Sequence, residues 1–354
     1  MTSSQVYSVK ASALLDMAGH TRKLRLGCKV LDDALGGGLD SHGLTELAGV
    51  AGAGKTQLVL QLMLQAMLPP SHGGLGGGAI LLHTDSADYS APMTRLTSLA
   101  TAFAERHSDL GVRNAMELLE RLFVLQIDDH EELWDVVNNR VTPMLAQHQV
   151  RLIVLDSIAA LFRTSAEEAL AAGHSASSRA AHGDRAQQLM RLAARLKQIS
   201  AQFNVAVVVT NQVTDKPLDA RARLSAAPWE LGAAVGGDGD AVRVPALGMA
   251  WSCCVNTRLL LSRHEAASAP PPPPPSQPQH PLPPGKRARA DERAGAEPFD
   301  PTDQVEAEPP SAYVRHLQVA WSPRLPARRV GFELRERGLV GVPGSVTTQY
   351  DVSR

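Results

Sequence analysis

The run Gly49-Val50-Ala51-Gly52-Ala53-Gly54-Lys55-Thr56 limits what this chain can fold into more than any other feature. It follows the apolar stretch Leu44–Ala48, which has the pattern of a strand, and it precedes Thr56–Leu68, apolar nearly all round and so a buried helix. A glycine-rich bend between a strand and a helix is built to hold an anion. The glycines let backbone N–H groups turn inward, and the helix N-terminus adds the positive end of its dipole. In this context Gly49, Gly52, Ala53, Gly54, Lys55, Thr56 and Gln57 are expected to cradle the phosphates of ATP. Lys55 would reach the β- and γ-phosphates, and the Thr56 hydroxyl would ligate Mg2+.

Such a loop needs a sheet behind it, and the chain supplies the strands. Ala79–His83, Leu122–Ile127, Leu152–Leu155 and Val205–Val209 are short apolar runs without a polar face, as expected of parallel strands covered on both sides. Helical stretches alternate with them: Pro92–Arg106, a segment capped by Asp128-Asp129 and running to Ala146, and Ser178–Gln202. The alternation predicts an α/β fold with a doubly wound, mainly parallel sheet. Strand patterns return at Tyr313–Trp321 and Val330–Glu336. With 354 residues, 44% of them hydrophobic and only 4% aromatic, the chain has material for a large aliphatic core.

One segment cannot join that core. Residues 265–311 carry Pro270–Pro275 without interruption, then a Pro-Gln-rich stretch, then charges; they hold too little apolar surface to offset their ordering entropy. The expected layout is therefore a short N-terminal linker over 1–26, a core over 27–264 and 312–342, a disordered Pro-rich insertion over 265–311 between two strands, and a C-terminal tail over 343–354.

Composition excludes several classes. A net charge of −1 rules out a chain that attracts nucleic acid as a whole, so any DNA contact must come from local basic loops. Three cysteines, Cys28, Cys253 and Cys254, make neither a disulfide framework nor a zinc motif, and they fit a reducing compartment. The adjacent Cys253-Cys254 suits a structural role better than a redox one. No apolar run approaches a membrane span, and Met1–Gln5 lacks a secretory pattern, so a soluble protein of the nucleus, cytosol or an organelle is expected.

The second half of the expected ATP site is Leu152-Ile153-Val154-Leu155-Asp156-Ser157. An apolar strand ending in Asp sets a carboxylate at the carboxyl edge of the sheet, where Asp156 would serve Mg2+. The plainer alternative is a helix cap.

Further motifs carry a resemblance. Leu31-Asp32, Leu35–Leu39 and Gly43–Leu47 resemble the approach to the phosphate loop in the RecA-family recombinases of eukaryotes and archaea. Thr210-Asn211-Gln212-Val213 resembles that family's strand end, in which the glutamine senses the γ-phosphate and a DNA-binding loop begins. Pro245–Gly248, Trp251 and Asn256–Leu259 resemble the stretch leading to the next strand, and Ser322–Pro326 the cap over a neighbour's ATP. Leu26-Gly27-Cys28, His72–Leu75, Arg151–Val154 and Asp156–Arg163 are similar to the paralogue branch of the family. The resemblance spans about residues 26–264 and 312–342.

It implies ATP with Mg2+ as cofactor and weak DNA-stimulated ATPase activity. It also implies a nuclear role in homologous recombination, double-strand-break repair and Holliday-junction processing, with ATP-dependent sensing of DNA damage. Implied partners are single-stranded or branched DNA, a sister paralogue and the central strand-exchange recombinase. Gln212 and Asp85 take the catalytic positions.

Three departures qualify it. Asp85 stands where the family usually has Glu to position the attacking water; the side chain is shorter by one C–C bond, roughly 1.5 Å, and such help is worth about 10² to 10⁴ in rate. Alternatively Asp85 only caps a loop. Only about 26 residues precede the core, room for a linker such as Val6–Ala13 in place of the family's helical domain. The Pro-rich insertion replaces a short connection. The loop from about 214 to 244 mixes Lys216, Arg221, Arg223 and Arg243 with five acids, so charge alone leaves DNA contact and simple solvation equally open. Lys286-Arg287-Ala288-Arg289 is either a nuclear import signal or charged disorder. Two other readings stay open: a hydrolysis-silent, ATP-gated scaffold that docks a sister paralogue, and a RecA-type helicase or its loader.

Overall fold

The computed structural model describes residues 22–84, 90–112, 114–162, 176–217, 241–265 and 313–348. Strand β1 (Lys23–Leu24) pairs antiparallel with β2 (Leu39–Asp40), and α1 (Lys29–Ala34) lies between them. Then come β3 (Leu44–Gly49), α2 (Lys55–Ala66), β4 (Gly78–His83), α3 (Ser90–Arg106), α4 (Ala115–Leu119) and β5 (Leu122–Gln126). Helices α5 (His130–Asp135) and α6 (Val141–Gln147) lead to β6 (Val150–Asp156), α7 (Ala176–Phe203) and β7 (Ala206–Asn211). The rest comprises β8 (Val213–Pro217), β9 (Ala241–Pro245), α8 (Gly248–Ser252), β10 (Thr257–Glu265), β11 (Tyr313–Trp321), β12 (Arg328–Arg335), β13 (Gly338–Gly341) and β14 (Thr347–Thr348).

The main sheet runs β13-β12-β11-β10-β3-β7-β6-β4-β5, with β14 beside β12. From β10 to β5 all neighbours are parallel; from β10 to β13 they are antiparallel. The parallel strands are apolar on both faces. Ala79, Leu81, Leu152, Val154, Ala206 and Val208 pack into one core with α2 and α3. Their alternates Ile80, Leu82, Ile153, Leu155, Val207 and Val209 pack into a second core with α5, α6 and α7. This is the doubly wound, mainly parallel α/β sheet that the continuous apolar runs predicted. Burial locks α2 in place: Leu58, Val59, Leu60, Leu62 and Met63 are wholly buried, each worth about 1.5–3 kcal/mol.

Two local features differ from the expectation. The helix expected from Asp129 to Ala146 starts as predicted, with the Asp129 carboxylate accepting from Glu132 N. It then opens into a π-helical turn at Val136–Arg140 before α6. Pro143 explains the break: it has no N–H to give Asn139 and its ring crowds that carbonyl, so the register widens there. Secondly, the mixed-charge loop after Gln212 begins and ends in an antiparallel ribbon, Thr214 opposite Val244. Residues 218–240 between them lie outside the described residues.

Strands β10 and β11 pair up to Glu265 opposite Tyr313, so residues 266–312 join the two ends of a hairpin; they too lie outside the described residues, as does Lys286–Arg289. Before the expected core boundary, Leu24 and Leu26 are fully buried.

Candidate nucleotide-binding site

Strand β3 delivers the loop to the carboxyl edge of the sheet, between β10 and β7. Gly49 is its last residue. A Cβ there would lie 2.3 Å from the Leu261 carbonyl oxygen, so only glycine lets β10 pair this closely. Gly52 and Gly54 have φ of 72° and 100°, the left-handed region that a side chain disfavours. Gly54 is the N-cap of α2 and offers no side-chain cap. The first-turn N–H groups at Lys55, Thr56 and Gln57 belong to a helix end that carries a positive dipole. Ala53 is wholly buried, its N–H turned to the Val50 carbonyl 3.2 Å away.

The Lys55 ammonium folds back over the loop and donates to the carbonyls of Gly49 (2.8 Å) and Val50 (2.9 Å). Burial pushes it below the usual lysine range, opposed by Asp156. An incoming phosphate would replace weak carbonyl acceptors with a full negative charge, a stronger partner for a desolvated cation.

Asp156, at the end of β6, is 7% exposed and accepts from two hydroxyls. Thr56 Oγ1 donates to its Oδ2 at 2.8 Å, and Thr210 Oγ1 donates to its Oδ1. The structure thus brings together the two residues expected at the metal. A hydroxyl and a carboxylate are hard oxygen donors suited to Mg2+, which takes its remaining ligands from phosphate and water. Among the described residues no group of three His, Cys, Asp or Glu side chains could hold a metal. Thr56 and Asp156 would therefore hold the ion with help from the nucleotide, and the ion would neutralise phosphate charge.

The Gln57 side chain is engaged by α3: its Oε1 accepts from Arg95 Nε at 2.7 Å. Arg95 also donates to the carbonyls of Arg335 (2.6 Å) and Glu336 (2.8 Å), which ties α3 to the turn between β12 and β13. Gln212 follows β7 directly, half-buried, its carbonyl accepting from Ala246 N at 2.9 Å. Ala48 lies opposite Asn211, so Gln212 stands level with Gly49 at the site's rim. Asp85 lies outside the described residues. Thr84, just before it, bonds Ser157 in both directions, each at 2.8 Å, which fastens the end of β4 to the Asp156 corner. His83 is buried, in keeping with a packed residue.

Sequence reasoning missed a charged network beneath the loop. Glu46, on β3, is wholly buried. It accepts from Asn211 Nδ2 (2.7 Å), from Trp251 Nε1 (3.0 Å) and from the buried Arg258, its register partner on β10. The network joins β3, β7, β10 and α8 around the base of the site. The signal was available: an acid in the middle of an apolar strand needs a buried partner.

Comparison with known proteins agrees with this architecture. Residues 20–241, more than half of the chain, match the family model described as Rad51. A protein of Arabidopsis thaliana named DNA repair protein XRCC3 homolog is 33% identical over 266 residues, 73% of this chain and 81% of its own length. DNA repair protein XRCC3 of Bos taurus is 32% identical over 327 residues, 92% of this chain and 76% of its own. DNA repair protein RAD51 homolog 2 of Homo sapiens is 30% identical over 264 residues, 72% of this chain and 63% of its own. With a family model over more than half of its length and relatives of this coverage, the chain belongs to the Rad51 family, and its sheet is a RecA-type α/β core.

Proposed function

We propose that this protein binds ATP with Mg2+ in the Gly49–Thr56 loop and acts in DNA repair by homologous recombination. The observation that carries the reading is the convergence of Lys55, Thr56 and Asp156 at one uncapped helix end. In it Lys55 and the first-turn amides bind phosphate, Thr56 and Asp156 hold the metal, and Gln212 sits where a change at the terminal phosphate passes to the ribbon β8–β9. The loop carried by that ribbon contacts single-stranded or branched DNA. The relatives' names, all DNA repair proteins, support the repair role. A nuclear location follows from that work; among the described residues no helix is long and apolar enough to cross a membrane. Holliday-junction processing, damage sensing and partnership with a sister paralogue and the central recombinase complete the proposal.

A second reading is favoured by Asp85 in place of the longer acid: ATP is bound but hardly hydrolysed, and works as a joint between subunits, since a ligand bound only by the assembled form stabilises it. Turnover of ATP with and without single-stranded DNA separates the two. DNA-stimulated hydrolysis that disappears in Asp156→Asn supports the ATPase. Tight ATP binding with no turnover, restored by Asp85→Glu, supports the joint.

A further inference from the structure

Strand β10 does not stop where its neighbour β3 does. Leu261 is opposite Gly49, and β10 runs on to Glu265, carrying the start of β11 with it. This overhang stands beside the outer limb of the phosphate loop, and its loop-facing side holds two arginines. Arg263 and Arg315 are register partners, directly opposite across the hairpin. Like charges in that position repel.

Neither arginine is neutralised. Among the described residues neither forms an ion pair, and Glu265, exposed and two positions on, bonds neither. Arg315 is only 9% exposed. Among the described residues its side chain makes one hydrogen bond, a long contact of Nε to the Gly52 carbonyl, 3.4 Å. Burial pulls its pKa down, and Arg263 adds to this. The Arg263 guanidinium lies over the Tyr313 ring, 4.4 Å from its centroid, and Arg315 approaches the same ring at 5.9 Å. The pair presses on the loop apex itself: a Cβ on Gly52 would lie 2.5 Å from Arg263 Nη1. Arg263 is exposed, but Arg315 is a nearly buried cation beside it; a buried cation is costly to keep without an anion, and the neighbouring structure is a loop shaped for one.

We propose that Arg263 and Arg315 form an anion subsite against the apex of the Gly49–Thr56 loop that favours the terminal phosphate of a bound nucleoside triphosphate. The proposal rests on the reading of that loop as the ATP site and adds its selectivity: Lys55 and the α2 amides hold any nucleotide, and the arginine pair makes the site prefer tri- over diphosphate. Tyr313 orients Arg263 by stacking, which leaves the guanidinium edge free to face the loop.

The test is equilibrium binding of Mg·ATP and Mg·ADP to the full chain and to Arg263→Gln, Arg315→Gln and Arg315→Lys. A charge at this range is worth roughly tenfold in affinity for one added phosphate charge. Each Gln variant should therefore lose about tenfold for ATP and less than about threefold for ADP, and Arg315→Lys should recover most of the loss. Equal losses for both nucleotides, or no loss for either, would overturn the proposal. Should a Gln variant fail to fold, the wild-type chain decides: its preference for ATP over ADP should shrink between about 50 and 300 mM salt, and a preference that is absent or indifferent to salt counts against the pair. If the wild-type chain binds neither nucleotide, the ATP reading has failed; if it binds both through Lys55 and the arginine variants do not discriminate, only this proposal has.

Discussion

Glu46 shows how much of the site depends on one side chain that would never touch ligand. Its carboxylate is surrounded by Arg258, Asn211 and Trp251 with no water-exposed surface. Removing it leaves a guanidinium buried without a partner, so Glu46→Ala should cost about 3–5 kcal/mol in urea unfolding. The double change Glu46→Leu with Arg258→Met should cost clearly less; a double variant worse than the single would contradict the pairing. Asp32 offers a test by pH. Burial pushes its carboxyl up to about 6 from 3.8, and the Leu26 N–H, 2.6 Å away, only partly opposes this. The folded chain therefore keeps a proton that the unfolded chain releases. The stabilisation is complete below the unfolded value and fades as pH rises through about 6. Asp32→Asn keeps an acceptor for Leu26 and removes the titration. Its stability relative to wild type should rise by about 2 kcal/mol between pH 4 and pH 7, and parallel pH profiles for the two proteins would contradict the assignment. The sequence displayed Lys55, Thr56 and Asp156 openly, because phosphate and metal chemistry demand those residue types at that place. Thr210 and Arg95 were hidden, since their roles depend on which strands and helices become neighbours; Glu46 stood out as an acid in an apolar strand, but not which partners would hold it.

At the level of elements, the loop is shaped as much by its flanks as by its own glycines. Gly49 is needed because β10 runs against it, and Gly52 because its φ of 72° lies in the left-handed region. Gly49→Ala should place a methyl on the Leu261 carbonyl, force β10 away from β3, and cost about 2 kcal/mol or more in thermal or urea unfolding. A variant as stable as wild type would show that the two strands are not so closely joined. The apolar runs placed β3, β4, β5, β6 and β7 within a residue or two of their observed bounds, because a strand buried on both faces leaves an unmistakable pattern. The π-helical turn before Pro143 and the ribbon β8–β9 were not legible. The first is a local response to one missing N–H, and the second lies in a polar segment whose pairing has no hydrophobic signature.

On the scale of the whole molecule, the sheet explains why the site is where it is. The order β10-β3-β7-β6-β4-β5 sends the chain from β3 past two strands before it returns as β4, and the gap left at the carboxyl edge is where such sheets take ligands. Three strand ends meet there: β3 with the loop, β6 with Asp156 and β7 with Thr210 and Gln212. The alternation of strands and helices announced this class of fold. It did not announce that β10 and β11 would overhang the loop, which depends on the pairing register of residues far apart in the chain, such as Arg263 and Arg315. The claim on which the rest depends is that the Gly49–Thr56 loop binds Mg·ATP through Lys55. The most direct measurement is the equilibrium affinity for Mg·ATP of the wild-type chain and of Lys55→Ala, with matched circular dichroism and melting temperature as proof of an intact fold. The account predicts a loss of about a hundredfold or more on removing the charge-assisted phosphate contact. A folded Lys55→Ala protein with wild-type affinity would contradict it.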